Sequence, residues 1–177
     1  MPRDIILFME ESLFKKSPDR IVVAEDLFDE KHRRPLRNFR FRVSAFGILS
    51  KGKKILVQRH PLLKKYGLPG GGIEIGEKIA PGLYREFKEE TGLVVKISRL
   101  ITVGENLFTW KGEDAQGIFI YYEVKKIGGN LLREGNRKDT VEVKFVDIDK
   151  LSKANIQKIY IDAIDEYKRL NKQFRRG

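Results

Sequence analysis

The sequence predicts an α/β protein, and three observations support this. Segments with the alternating apolar pattern of strands recur between Phe39 and Val146, a short amphipathic helix lies among them, and a helical pattern closes the chain. With 177 residues and 41% hydrophobic content, the chain can bury one core without disulfides. We therefore predict a single domain over residues 1–177, made of an extension (1–38), a core (39–151) and a C-terminal helix (152–177).

The extension and the first strands are distinguished by their patterns. The extension mixes apolar runs such as Ile5–Phe8 with charged spacers and ends in the basic segment Lys31–Pro35. From Phe39 the polarity alternates, and a turn at Gly52 then leads into the apolar run Ile55–Val57. This pattern predicts a β-hairpin, and the extension is expected to pack on the core.

The second half of the chain predicts two helices and further strands. A glycine-rich loop, Gly67–Gly72, leads into a helix of about three turns that ends at Gly92, since glycine readily supplies the left-handed conformation of a helix C-cap. Strand-like segments follow at Leu93–Val103, Gly117–Val124 and Val141–Val146. Apolar residues then recur at spacings of three and four up to Phe174, which predicts a final helix from about Ser152.

Composition and charge limit the classes of function. Without cysteine, the chain has no disulfide, no thiolate metal site and no cysteine nucleophile. A net charge of +11 favours polyanionic partners, although the same cations can simply solvate the surface. The basic residues of the segment 168–176 suit the end of a helix, so no nucleic-acid partner is expected. No stretch predicts a membrane span, and we expect a cytoplasmic protein.

An acidic cluster stands out in this basic chain. Its members are Glu74, Glu77, Glu86, Glu89 and Glu90. On a helix that turns by about 100° per residue, the last three share one face, away from the apolar side chains. Carboxylates so placed repel one another unless a hard cation such as Mg²⁺ or Mn²⁺ binds them. For an isolated acidic helix, a solvated surface with internal ion pairs is the ordinary alternative.

A longer pattern surrounds this helix. Gly71 is followed after five residues by Glu77 and after seven more by the run Arg85–Leu93, REFKEETGL. This pattern resembles the signature of the Nudix hydrolase family, complete over Gly71–Leu93, and the family's strand order fits the core at about 39–151. The resemblance implies a Nudix fold, with a mixed β-sheet sandwiched between α-helices. It also implies Mg²⁺- or Mn²⁺-dependent hydrolysis of a diphosphate linkage in a small nucleotide substrate.

The resemblance also implies roles for individual residues of the box. The implied metal ligands are Glu86, Glu89, Glu90, the supporting acid Glu77 and the carbonyl of Gly71. Arg85 is implied to hold the glutamates in orientation. Where the family usually has alanines this chain has Pro81-Gly82, for which we expect a short irregularity in the first turn of the helix.

The remaining roles stay open from sequence. The candidates for the general base are Glu86, Glu134 and Glu142. Arg42 and Arg59 are candidates for contacting phosphates, and Phe108 or Trp110 for stacking on a base. The alternative interpretation of these four residues is that they are ordinary exposed or packed residues of strands.

The box does not distinguish among the family's substrates. The residues Leu107–Trp110 carry neither the proline nor the tyrosine that marks some relatives. We predict a nucleoside di- or triphosphate derivative as the substrate, with a nucleotide-sugar or ADP-ribose pyrophosphatase as the alternative. A Nudix-fold binding regulator without activity is disfavoured because the box is intact, and no GxxxxGK[ST] motif supports a P-loop enzyme. The oligomeric state stays open, with a homodimer as one option.

Overall fold

A computed structural model describes residues 19–110 and 112–171. The predictions for residues 1–18 and for the tail beyond residue 171, Phe174 included, lie outside these ranges. The strands are β1 (Ile21–Asp26), β2 (Lys31–Pro35), β3 (Arg40–Lys51), β4 (Lys54–Arg59), β5 (Gly70–Gly72), β6 (Leu93–Trp110), β7 (Glu113–Gly129) and β8 (Glu142–Asp147). The α-helices are α1 (Ile79–Thr91) and α2 (Ile161–Leu170), and short 3₁₀ turns occupy Leu36–Asn38, Ile148–Lys150 and Lys158–Tyr160.

The strands form one sheet in the order β2-β1-β6-β7-β3-β4-β8, and β5 pairs with β3 beside β4. The pairs β1–β6 and β3–β7 are parallel, whereas the other neighbouring strands run antiparallel. The predicted hairpin is formed by β3 and β4. The sheet is therefore mixed, as the resemblance implied.

Helices cover both faces of this sheet. Along β3, Ala45 and Leu49 belong to the apolar cluster that contains Phe87 of α1. Phe46 and Ile48, which point to the opposite face, belong to the cluster that contains residues of α2. The two helices thus lie on opposite sides, and the prediction of a sheet between helices is confirmed.

Helix α1 runs without interruption across the unusual Pro81-Gly82 pair, so the expected irregularity is not seen. Pro81 lies in the first turn, where backbone N–H groups have no acceptor within the helix. The helix ends at Gly92 as predicted, with φ of 74° and the Gly92 N–H donating to the Lys88 carbonyl at 2.8 Å.

The C-terminal helix is shorter than predicted, because α2 begins at Ile161 and not near Ser152. The backbone before it bonds elsewhere: the Tyr66 N–H donates to the Asn155 carbonyl at 2.8 Å, and the Gln157 N–H donates to the Tyr66 carbonyl at 3.0 Å. Ile156 is nevertheless buried. The apolar spacing therefore continues through a segment whose backbone is not helical.

The β1–β2 hairpin extends the sheet beside β6 and is tied to the core by two ion pairs. Lys158 Nζ lies 2.8 Å from a Glu25 carboxylate oxygen, and Lys65 Nζ lies 2.6 Å from Asp29 Oδ2. These contacts hold the turn of the hairpin over one face of the sheet. In the described ranges, neither helix combines the length and the apolar character that crossing a membrane requires.

Candidate active site

A cavity of about 390 Å³ opens beside β3 and the glycine-rich strand β5. Its wall also includes the turn of the β1–β2 hairpin, the acidic face of α1, the end of β6 and the segment before α2. Strand β5 approaches β3 closely, since a Cβ on Gly70 would lie 2.2 Å from the Ala45 carbonyl oxygen. The size and mixed polar and aromatic lining are typical of small-molecule sites.

Glu90 is held at the inner end of the cavity by hydrogen bonds, with only 7% of its surface exposed. Its Oε2 accepts from the Gly70 N–H at 2.8 Å, and its Oε1 accepts from the Gln58 amide at 3.3 Å. The Gln58 side chain is oriented in turn by the Thr140 hydroxyl, which donates to it at 3.2 Å. The carboxylate therefore has a fixed position.

The charge of Glu90 is poorly compensated. Burial first of all, and then the neighbouring carboxylates of Glu86 and Asp139, raise the pKa of Glu90 to about 8. Among the described residues no cationic side chain contacts the Glu90 carboxylate. A hard divalent cation that binds oxygen ligands fits this arrangement, because it would offset the repulsion that burial strengthens.

Arg85 connects three of the acidic residues. Its Nε and Nη2 donate to the two oxygens of Glu77, each at 3.0 Å, and its Nη1 donates to Glu86 at 2.7 Å. The Glu89 carboxylate lies 3.6 Å away. These bonds raise the pKa of Arg85 and lower that of Glu77. They are the contacts that the predicted orienting role requires.

The box carboxylates do not all face the cavity. Glu86 and Glu90 line it, whereas the Glu89 side chain is 56% exposed and lies outside the lining. The three carboxylates do not form a group within 4.8 Å of one another. Gly71 leaves room for the Glu86 carboxylate against the main chain, since a Cβ on Gly71 would lie 2.8 Å from Glu86 Oε2.

Asp26, Glu30 and His32, in the β1–β2 hairpin, are the group within the described ranges whose ligand atoms do lie within 4.8 Å of one another. Their contacts are already satisfied locally. His32 Nε2 lies 2.9 Å from Asp26 Oδ2, and Asp26 Oδ1 accepts from the backbone N–H groups of Phe28 and Glu30. These bonds stabilise the turn, and we assign no metal to it.

Two of the candidate bases lie away from the cavity. The Glu134 side chain is 71% exposed and pairs with Arg137. Glu142 pairs with Lys144 at 2.7 Å and with Arg59 at 3.1 Å, and these partners lower its pKa. Neither glutamate lies in the lining of this cavity, and their candidacy as the general base stays a prediction. The same ion pair keeps Arg59 out of the cavity lining.

Asp139, which the sequence analysis did not single out, does line the cavity. Its loop is held by Asn136, whose side-chain oxygen accepts from the backbone N–H groups of residues 138–140 at 3.0, 2.8 and 3.1 Å. An asparagine that caps the residues following it is a recognisable turn signal. The asparagine, and not the nearby glutamates, is therefore the sequence feature that could have pointed to Asp139.

Three of the four candidate substrate residues line the cavity. Arg42 has no hydrogen bond or ion pair with any described residue, and its guanidinium lies against Gly72, where a Cβ would be 2.7 Å from Nη2. Phe108 lies 5.9 Å from Phe119 between ring centroids, and Trp110 makes an edge contact with His60. The site therefore combines an unpaired cation near the acids with an aromatic wall.

Comparisons with known proteins agree with this geometry. A family model described as the NUDIX domain matches residues 38–167. Over 147 residues the chain is 32% identical to the ADP-ribose pyrophosphatase of Methanocaldococcus jannaschii, covering 75% of this chain and 83% of that protein.

The fold is similar to those of solved structures. A UDP-X diphosphatase is 23% identical with a TM-score of 0.58, covering 76% of this chain and 66% of that chain. A NUDIX hydrolase from Nitrosomonas europaea is 20% identical with a TM-score of 0.60, covering 72% of this chain and 88% of that chain. Together with the intact box and the family match, these similarities show that the chain belongs to the Nudix family and is a hydrolase of that family.

Proposed function

We propose that this hydrolase cleaves the diphosphate linkage of a nucleoside diphosphate sugar, with ADP-ribose as the first candidate, in the presence of Mg²⁺ or Mn²⁺. The observation that carries the proposal is that Glu86 and Glu90 share one cavity with the unpaired Arg42 and with an aromatic wall. A diphosphate suits the part of the cavity that carries the acids and Arg42, and a nucleoside suits the aromatic wall. The similarity to an ADP-ribose pyrophosphatase favours the sugar-linked class over nucleoside triphosphates, reversing the sequence-based preference.

The donor set supports a hard divalent cation. Glu86 and Glu90 offer carboxylate oxygens, Gly71 adds a nearby carbonyl, and Glu89 lies on the exposed side of the same helix. A bound cation would supply neutralisation of the diphosphate charge. Arg85 would keep Glu77 and Glu86 in place through its hydrogen bonds to both.

The protein's own residues would orient the substrate and accept the proton. Arg42 would donate to a non-bridging phosphate oxygen, which orients the diphosphate along the acidic face. Asp139 would accept a proton from the attacking water as the new P–O bond forms and the bridging P–O bond breaks. For ADP-ribose the products would be two phosphate monoesters.

A substrate panel tests the proposal. The purified protein would be incubated with ADP-ribose, a UDP-sugar, ATP and a dinucleoside polyphosphate, with Mg²⁺, Mn²⁺ or a chelator, and the products separated by ion-exchange chromatography. We expect the highest kcat/KM on a nucleoside diphosphate sugar and no turnover with chelator. Higher kcat/KM on ATP would refute the substrate class, and activity with chelator would refute the need for a cation.

A matched pair of variants tests the acidic site. Glu90→Gln keeps the size of the buried side chain but removes its charge, so we expect turnover to fall by at least about 100-fold. Glu166→Gln changes a glutamate that pairs with Arg169 on α2, outside the cavity, and is expected to leave turnover unchanged. Equal activities of the two variants would remove Glu90 from the proposed site.

A further inference from the structure

Two polar side chains in the wall of the cavity lack a partner. Gln157 and Tyr160 are 7% and 5% exposed, and neither the Gln157 amide nor the Tyr160 hydroxyl has a hydrogen bond to any described residue. Buried polar side chains are normally satisfied, because an unpaired one loses its bonds to water without replacement. Neither group is fully enclosed by protein, so both remain accessible from the cavity that they line. The pair therefore indicates a ligand that completes its hydrogen bonds.

A short chain of contacts places this pair next to the acidic site. The Gln157 N–H bonds the Tyr66 carbonyl at 3.0 Å, and the adjacent Gly67 exchanges two backbone hydrogen bonds with Gln58, at 2.8 and 2.9 Å. Gln58 is the residue whose amide donates to Glu90. A Cβ on Gly67 would lie 3.2 Å from the Tyr160 hydroxyl oxygen. The pair therefore lines the same cavity as Glu90, on the side where a group attached to a bound diphosphate is expected.

The aromatic wall lies farther away. Ring centroids are 5.1 Å apart between Tyr160 and Phe46, 6.2 Å between Phe46 and Phe119, and 5.9 Å between Phe119 and Phe108. A base stacked at Phe108 would therefore be separated from Tyr160 by two further rings. This order of ring contacts favours the sugar over the base as the partner of the amide and the hydroxyl.

The segment that carries the pair is held rigidly. Tyr66 receives and donates backbone hydrogen bonds with residues 155 and 157, and Lys158 pairs with Glu25 of the hairpin turn. Polar groups held in advance lose little entropy when they bind a ligand. A carboxamide offers both donors and an acceptor, and a phenol offers one donor, which matches the neighbouring hydroxyls of a ribose.

We propose that Gln157 and Tyr160 hydrogen-bond the hydroxyl groups of one of the two riboses that are joined directly to the diphosphate, and that they determine specificity for a hydroxylated sugar at this position. The inference rests on the proposed function and names a recognition element within it. A site built to bond a hydroxyl discriminates strongly against an analogue without it, because the protein groups are then left unpaired.

The test compares substrates and variants together. The substrates are ADP-ribose, its analogue with 2-deoxyribose at the terminal position, and its analogue with 2′-deoxyadenosine. The variants are Gln157→Met and Tyr160→Phe, which keep size but remove hydrogen-bonding groups. The control is Tyr167→Phe. Tyr167 lies on α2 outside the cavity lining, and its hydroxyl donates to Ser50 at 2.9 Å.

We expect wild type to lose about tenfold in kcat/KM on one of the two deoxy analogues, which identifies the ribose concerned. Gln157→Met or Tyr160→Phe should lower kcat/KM on ADP-ribose by about the same factor. The variant should then hydrolyse ADP-ribose and the discriminated deoxy analogue equally well, because the hydrogen bond that distinguishes them is already absent. Tyr167→Phe should keep the wild-type ratio. A purely structural role would lower all activities and leave the ratio unchanged.

The outcomes separate the two proposals. If both variants keep the wild-type ratio, or if wild type hydrolyses both deoxy analogues as well as ADP-ribose, the inference is overturned and the proposed function stands. If wild type hydrolyses no nucleoside diphosphate sugar, both are overturned.

Discussion

Replacing Gly47 with alanine should disturb the active site from inside the core. Gly47 lies on β3, on the face that α1 covers, and a Cβ there would lie 2.8 Å from Cε2 and 3.0 Å from Cδ2 of Phe87. The same Cβ would lie 3.2 Å from Val124. Phe87 is fully buried and Val124 nearly so. The ring has no free space into which to turn, so α1 itself must shift away from the sheet.

The magnitude follows from two opposing effects. Overpacking a core by one methyl group costs about 1–3 kcal/mol, whereas removing a glycine from a strand interior gains about 0.5–1 kcal/mol. We expect the free energy of unfolding to fall by about 1–2 kcal/mol. For a chain of this length, this corresponds to a melting temperature lower by about 2–8 °C.

The shift should also reach the chemistry. Phe87 lies on α1 between Glu86 and Glu90, so a displacement of the helix moves both carboxylates relative to β5. We expect kcat/KM to fall by about tenfold or more at a temperature where the variant is fully folded, since small misplacements of catalytic groups are costly. Urea unfolding followed by circular dichroism would measure the stability, and the substrate panel would measure the activity.

Gly104→Ala provides the matched control. Gly104 is also a strand glycine of the sheet, on β6, but a Cβ there would make only an ordinary contact, at 3.7 Å from Tyr121. This variant should be at least as stable as wild type and equally active. If Gly47→Ala behaved like Gly104→Ala in both measurements, the close packing of α1 against β3 would not control the position of the acidic residues.

Three further substitutions and one control variant test the proposed roles, each by steady-state kinetics with a thermal melt to check folding. Asp139→Asn should lower kcat by about 100-fold with little change in KM, because it removes a base and keeps the shape; an unchanged kcat would reassign the base. Arg42→Ala should raise KM by about tenfold through the loss of a phosphate contact, whereas Arg59→Ala, whose partner is Glu142, should leave KM unchanged. Arg85→Lys should lower kcat by about tenfold, because lysine cannot reproduce the two-pronged contact with Glu77.

The box region was predictable because its determinants are local. Helix α1 and its cap at Gly92 follow from a spacing that the helix repeat converts directly into a face, although Glu89 lies outside the cavity that Glu86 and Glu90 line. The predicted hairpin and the strands after the box are also present, although β6 and β7 run well beyond the predicted ends. Pairing with strands that are distant in the sequence extends β6 and β7, and the alternation of polar and apolar residues does not predict this pairing.

Other features depended on contacts that no local pattern carries. The start of α2 was misplaced because Tyr66, nearly ninety positions earlier, takes the backbone bonds of Asn155 and Gln157. Glu142 is a candidate base from its position in the sequence, but its carboxylate forms ion pairs with Arg59 and Lys144. In both cases a residue far away in the sequence, Tyr66 or Arg59, takes part in the contact.

The proposed cation-binding acids are likewise determined by local sequence, whereas the choice of substrate depends on residues that are distant in the sequence. The acids proposed to hold the cation lie within one loop and one helix, so a single segment specifies them. The proposed recognition groups come from separate places, with Arg42 on β3, Phe108 on β6 and the pair Gln157 and Tyr160 before α2. They meet only because the sheet order brings β3, β7 and β6 side by side and ties the hairpin turn to Lys158. Substitutions at these positions should therefore change which nucleotide is bound while leaving the acidic helix intact, which is how one hydrolytic element can serve many substrates.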